Sequence, residues 1–179
     1  MNPAPNLVLV GPMGAGKSSL GKRLARKLGL QFVDADASLE AAAGASVTTF
    51  FELEGEASFR QREERVLDEV LHATSQVIAT GGGAVLSANS RELMCRRAFV
   101  VYVRVGLAHQ LGRLARDHSR PLLASGDRAE KLQSLARVRN PLYESVADLV
   151  FDSDGLDVGA ATRKLGHQVQ MAWKREQAA

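Results

Sequence analysis

Gly11-Pro12-Met13-Gly14-Ala15-Gly16-Lys17-Ser18 decides how the rest of the chain is read. It follows the apolar run Leu7-Val8-Leu9-Val10 and opens a helical pattern at Ser19-Leu20-Gly21-Lys22-Arg23-Leu24. Strand, glycine-rich turn and helix, with two glycines and a Lys-Ser pair at this spacing, form a phosphate-binding loop. The glycines permit backbone angles at which successive N–H groups converge on an anion. The helix N-terminus adds its partial positive charge at the same point. Lys17 supplies a mobile ammonium for the β- and γ-phosphates, and Ser18 a hydroxyl ligand for Mg²⁺. Gly14, Ala15, Gly16, Lys17, Ser18 and Ser19 are therefore the nucleotide-binding candidates, with ATP and Mg²⁺ the implied ligands.

Outward from this loop, β-rich apolar runs recur at 7–10, 31–33, 77–79, 99–103 and 149–151, separated by helical patterns. Such alternation predicts an α/β fold with a parallel sheet covered on both faces. No repeat or linker divides the 179 residues, a length suited to one domain with its own core. The net charge of +3 comes from interspersed charges rather than a basic block, which argues against nucleic acid as partner. One cysteine excludes an internal disulfide framework, and no apolar run approaches membrane-spanning length. With no signal-peptide pattern a cytoplasmic protein is expected, and with no long apolar stripe left over a monomer.

Several polar residues then interrupt the regular pattern. Asp34 and Asp36 fall at the carboxyl end of the second strand, on the ligand side of an open parallel sheet. One can order a metal's water shell and the other accept a substrate proton, while Asp36 also suits the N-cap of the next helix. A helix expected from about Gly55 to His72 carries Phe59, Glu63, Val66, Leu67 and Val70 on one stripe. Glu63 breaks that apolar stripe and lies three residues from Arg60. The pair is either a guanidinium fixed for a carboxylate ligand or an ordinary surface ion pair. Gly81-Gly82-Gly83 ends the third apolar run, leaving room for a ligand to approach the backbone.

The turn-rich basic segment at about 114–128, which carries Arg120, reads either as a mobile lid that excludes water from a phosphate site or as a merely solvated charged loop. A helix from about Arg128 reaches Arg139-Asn140-Pro141-Leu142-Tyr143, where Pro141 is expected to interrupt or kink it. The last helix is expected over about Leu156–Lys174, with Trp173 structural and Cys95 without a chemical role.

Taken together, the phosphate loop, Asp34-x-Asp36, Phe59-Arg60-x-x-Glu63, Gly81–Gly83, Arg120-Pro121-Leu122-Leu123 and Arg139-Asn140-Pro141-Leu142-Tyr143 resemble the bacterial shikimate kinase family, in family order and over nearly the whole chain. The resemblance implies a nucleoside monophosphate kinase-like fold with five parallel strands. It implies transfer of the ATP γ-phosphoryl group to the 3-hydroxyl of shikimate, on the route to chorismate and the aromatic amino acids. By the same resemblance, Asp36 binds the reacting hydroxyl as orienter or base, and Arg60 and Arg139 grip the shikimate carboxylate. Gly81, Gly82 and Gly83 line its ring, and Phe51 and Phe59 form an apolar wall. Asp34 helps Ser18 hold Mg²⁺, Arg113 lies near the adenine, and Arg120 and Lys17 meet the transferred phosphate. The catalytic set is thus Lys17, Asp36 and Arg120, within a substrate-binding region of about 34–63 and under a lid of about 114–128.

One stretch departs from the family pattern. Family members often place a basic or polar residue against the adenine near the last strand, where this chain has Asp152-Ser153-Asp154-Gly155-Leu156. Rival readings are a gluconate- or adenylate-type kinase of the same fold and a GTP-dependent switch. The switch lacks an Asn-Lys-x-Asp guanine motif, and Asp152-x-x-Gly155 falls too late in the chain to serve beside the metal.

Overall fold

A computed structural model describes residues 4–115 and 127–174. Five strands carry the fold: β1 (Asn6–Val10), β2 (Gln31–Asp34), β3 (Gln76–Ala79), β4 (Ala98–Arg104) and β5 (Leu149–Asp152). They pair in parallel, as the alternating pattern and the family resemblance implied, and their order is β2-β3-β1-β4-β5. Parallel neighbours need crossovers, and the helices, which supply the crossovers everywhere but after β5, cover the sheet. These are α1 (Lys17–Leu28), α2 (Ala35–Ala43), α3 (Val47–His72), α4 (Ala88–Arg97), α5 (Leu107–Leu114), α6 (Arg128–Val146) and α7 (Val158–Ala172).

The sheet separates two cores. Leu7, Leu9, Val77, Phe99, Val101 and Val103 face α1 and α7, whose Leu20, Leu24, Leu165 and Val169 complete that layer. Val8, Val10, Ile78, Val100 and Tyr102 face α3, α4 and α6 through Leu67, Leu71, Met94, Tyr143 and Val146. Alternate side chains of the central strands thus enter opposite cores, which is why these strands read as unbroken apolar runs. Trp173 is structural as expected: its ring stacks on Phe99 at 6.1 Å, and its indole N–H donates to the Ala4 carbonyl at 2.9 Å.

Several boundaries differ from those the pattern predicts. The helix expected from about Gly55 to His72 is present, but a further helical segment from Val47 precedes it across a break at Gly55, capped by the Ser46 hydroxyl accepting from the Thr49 N–H. Its β-branched start, Val47-Thr48-Thr49, hides the helix from propensity. Gly55 lies inside as a break at φ 79° and ψ 174°. Pro141 neither ends nor breaks α6, which continues to Val146. The buried side chains of Tyr143 and Val146 beyond it hold the last turn on the sheet against the proline's cost. The last helix is shorter than expected and starts at Val158, where the Asp157 side chain caps it.

Candidate active site

All five strand ends open on one side of the sheet, and each delivers a piece of the site. After β1 the chain enters the phosphate loop. Gly11 sits at φ 144°, and an added side chain there would strike the Val103 carbonyl of β4. Gly16 caps α1 from the left-handed region at φ 88°, so the first N–H groups of α1 stay free of side-chain caps and face the loop. The buried Lys17 ammonium lies within the loop, donating to the Gly11 carbonyl at 2.7 Å and the Pro12 carbonyl at 2.9 Å. Ser18 Oγ donates to Asp34 Oδ2 at 2.6 Å, so the two oxygens expected to share a cation lie side by side.

The end of β2 assigns different jobs to the two aspartates. Asp34, not Asp36, caps α2: its Oδ1 accepts from the N–H groups of Asp36 and Ala37 at 3.1 and 3.3 Å. Asp36 lies in the first turn of the helix, so the two side chains do not project to one side as they would along an extended strand. Its carboxylate faces the glycine loop after β3. An added Cβ at Gly81 would stand 2.6 Å from Asp36 Oδ1 and 2.7 Å from Glu63 Oε1. A Cβ at Gly83 would stand 2.6 Å from Arg60 Nη2. The glycine run therefore exists to let two carboxylates and a guanidinium press against backbone.

Arg60 and Glu63 form the fixed pair rather than a loose surface bridge. Arg60 Nη1 donates to Glu63 Oε2 at 2.6 Å, and the Glu63 side chain is 8% exposed. Arg60 Nη2 reaches Glu56 at 3.4 Å, its Nε is buried without a protein partner, and the guanidinium lies 5.0 Å from the Phe59 ring centre. Burial holds the Glu63 carboxyl above its ordinary pKa; the charge of Arg60 opposes this and that of Asp36 adds to it. Arg139, on α6, is buried too. Burial and the neighbouring Arg60 charge lower its pKa, with Tyr143 and Glu63 opposing.

These groups share one cavity of about 500 Å³, lined by Ser18, Asp34, Asp36, Phe51, Phe59, Arg60, Glu63, Gly81–Gly83 and Arg139. Phe51 and Phe59 meet at 5.5 Å between ring centres and form one wall. On the other side of the phosphate loop, a cavity of about 200 Å³ is lined by Gly16, Ser19, Arg113, Ser153, Leu156 and Val158. Arg113 is anchored there, donating to the carbonyls of Gly14, Ala15 and Ser153 at 3.2–3.3 Å. The acidic stretch after β5 turns elsewhere. Asp152 pairs with Arg104 at 3.0 Å, and Asp154 accepts from the Gly106 N–H at 2.9 Å. Only Ser153 and Leu156 of that stretch line the cavity beside Arg113.

Arg120 and most of the expected lid lie outside the described residues; Leu114 and Arg128 at its edges are joined by an Arg128 Nη1 hydrogen bond to the Leu114 carbonyl at 2.8 Å. Two contacts escaped the sequence reading. Gln110 is buried and donates to the Met13 carbonyl at 2.9 Å, and Tyr143 donates to the Gly82 carbonyl at 2.5 Å. Gln110 interrupts the apolar stripe of Leu107, Leu111 and Leu114 as Glu63 interrupts its own, which is the signal that would have found it.

Comparison with known proteins matches this arrangement to one family. The family model described as shikimate kinase matches residues 13–170. The chain belongs to the shikimate kinase family. A shikimate kinase of Stenotrophomonas maltophilia is 51% identical over 98% of both chains, and one of Xanthomonas euvesicatoria is 49% identical over 97% of both. The solved structure of a shikimate kinase from Acinetobacter baumannii in complex with shikimate superposes with a TM-score of 0.86 at 41% identity, over 95% of this chain and 93% of that one. The family's kinase activity and parallel α/β fold accordingly extend to this chain. Among the described residues, no helix is long and apolar enough to cross a membrane.

Proposed function

We propose that the chain transfers the γ-phosphoryl group of ATP to the 3-hydroxyl of shikimate, giving shikimate 3-phosphate and ADP. The observation that carries this reading is the convergence of Arg60, Arg139 and Asp36 on one cavity beside the Ser18 end of the phosphate loop. Shikimate offers one carboxylate and three ring hydroxyls. Two guanidiniums suit the carboxylate, Asp36 suits the reacting hydroxyl, and the Gly81–Gly83 backbone suits the ring edge. Phe51 and Phe59 cover its apolar face.

Phosphoryl transfer asks for positioning and charge stabilisation more than covalent chemistry. Asp36 accepts a hydrogen bond from the 3-hydroxyl and is placed to take its proton as the new O–P bond forms and the bond to ADP breaks. Lys17 leaves the Gly11 and Pro12 carbonyls to meet the phosphates. Arg113 borders the adenine, and Arg120 is assigned to the transferring group by the family pattern alone. The donor set near Ser18 fits Mg²⁺. Ser18 and Asp34 are hard oxygen donors at the loop mouth, and an ion of this kind keeps several waters and phosphate oxygens rather than a protein cage. Ser18 would bind it directly and Asp34 would hold its water. Bound there, Mg²⁺ neutralises charge on the phosphates. The exposed Leu53, Val138, Val150 and Met171 stand on four different elements, which supports a monomer.

ADP release with Mg-ATP, measured with shikimate, with gluconate and with no acceptor, tests the reading. Turnover is expected with shikimate alone. Turnover with gluconate instead would reassign the two arginines to another acid, and slow acceptor-independent release would point to a nucleotide switch.

A further inference from the structure

Tyr143 is fully buried, yet its hydroxyl reaches the acceptor loop. It donates to the Gly82 carbonyl at 2.5 Å across 61 residues of sequence. Its ring packs against Tyr102 of β4 at 5.1 Å between centres, which leaves the phenol little freedom. Arg139 lies one helical turn earlier on the same face of α6, so that it and Tyr143 both approach Gly82. Arg139 also crowds the loop: its Nη1 is 3.7 Å from the position of a Cβ on Gly82, and the Met13 N–H of the phosphate loop is 3.3 Å from that position.

The phenol therefore stands between two groups that would touch an acceptor. A peptide is planar, so fixing the Gly82 carbonyl also fixes the Gly83 N–H, which is turned away from Tyr143. Glycine backbone is otherwise free to rotate, and a run of three glycines needs such a restraint. Arg139 has the complementary problem of a long side chain with several rotamers.

We propose that Tyr143 is a positioning residue for the acceptor: its hydroxyl holds the Gly82–Gly83 peptide and the Arg139 guanidinium in one geometry and so sets affinity for the acceptor carboxylate. The inference rests on the reading of Arg139 as a carboxylate ligand. Burial keeps the Tyr143 phenol well above its ordinary pKa, with Arg139 opposing, so it remains a neutral donor around neutral pH. Removing the hydroxyl leaves a part-buried carbonyl without its donor and frees the peptide beside the Arg139 guanidinium.

Tyr143→Phe keeps the ring against Tyr102 and removes only the oxygen. It should raise the KM for shikimate about tenfold, while kcat and the KM for ATP stay within about twofold. Tyr102→Phe, which removes the other phenol of the stacked pair, should leave both KM values within about twofold. Because Tyr143 acts partly through Arg139, the double variant with Arg139→Lys should lose less than the product of the two single effects. An unchanged shikimate KM in Tyr143→Phe, an equal rise in both KM values, or strictly multiplicative effects would overturn the proposal. Calorimetric titration with shikimate gives the same ratios without turnover. Inactivity of the unaltered chain would therefore strike the proposed function and leave this comparison measurable.

Discussion

The two glycine-rich segments of the site look alike in sequence and are glycine-rich for different reasons. In the phosphate loop the requirement is in the backbone itself. Gly11 and Gly16 sit at positive φ, and Gly11 abuts the Val103 carbonyl of the neighbouring strand. In the acceptor loop, Gly81, Gly82 and Gly83 are absent from the positive-φ residues, and Gly83 has an ordinary helical φ of −99°. What an added side chain would meet at Gly81 and Gly83 is other side chains: the carboxylates of Asp36 and Glu63, and the guanidinium of Arg60. One loop uses glycine to make a shape. The other uses it to leave space for side chains brought from elsewhere.

The sharpest way to break this contrast is to put the same methyl group into each loop. Gly11→Ala forces an L-residue to φ 144° and against backbone that cannot yield. It should cost about 3 kcal/mol of stability, read as a fall in Tm of about 6–12 °C, and turnover should fall with it. Gly83→Ala meets the far end of a flexible arginine instead, and the arginine can move. Its Tm should stay within about 2 °C, while the KM for shikimate rises about tenfold and the KM for ATP hardly changes. If both variants lost stability alike, the distinction between shape and space would be wrong.

The same distinction explains how much could be read from the sequence. The phosphate loop is eight contiguous residues between an apolar strand and a helix, so its local chemistry identified it, and the five apolar runs placed every strand. The acceptor site is assembled from residues on α2, α3, α6 and the loop after β3, and pattern alone left the Arg60–Glu63 pair undecided between a ligand clamp and a surface bridge. It took the tertiary fold to bury Glu63 and to bring Arg139 and Gly82 together. The family resemblance supplied what spacing could not, because it joins distant residues without deriving their contacts. Local detail failed where neighbours compete for one role. Asp34 took the cap open to Asp36, and Asp152 and Asp154 turned to Arg104 and the Gly106 N–H instead of the cavity beside Arg113. Tyr143 was quoted for its motif and not for its hydroxyl, because its partner lies 61 residues away.

The smallest expected effect probes the crowded side of the acceptor loop. The Glu63 carboxylate is pressed between Arg60 and the Gly81 backbone, and its burial raises its pKa above the ordinary 4.5 despite the Arg60 ion pair. The folded protein therefore binds the Glu63 proton more tightly than the unfolded chain does. The stability this contributes is fully present below about pH 4.5 and is lost as pH rises through the folded-state pKa. Each tenfold difference in proton affinity between the two states corresponds to about 1.4 kcal/mol, or about 3–6 °C in Tm here. Glu63→Gln has no proton to lose. The Tm of the parent minus that of Glu63→Gln should accordingly be greatest near pH 4.5 and decline toward neutrality, other carboxylates cancelling in the difference. A difference that rises with pH would mean that the Arg60 ion pair outweighs burial, and that the acceptor loop is held mainly by charge rather than by the close packing its glycines permit.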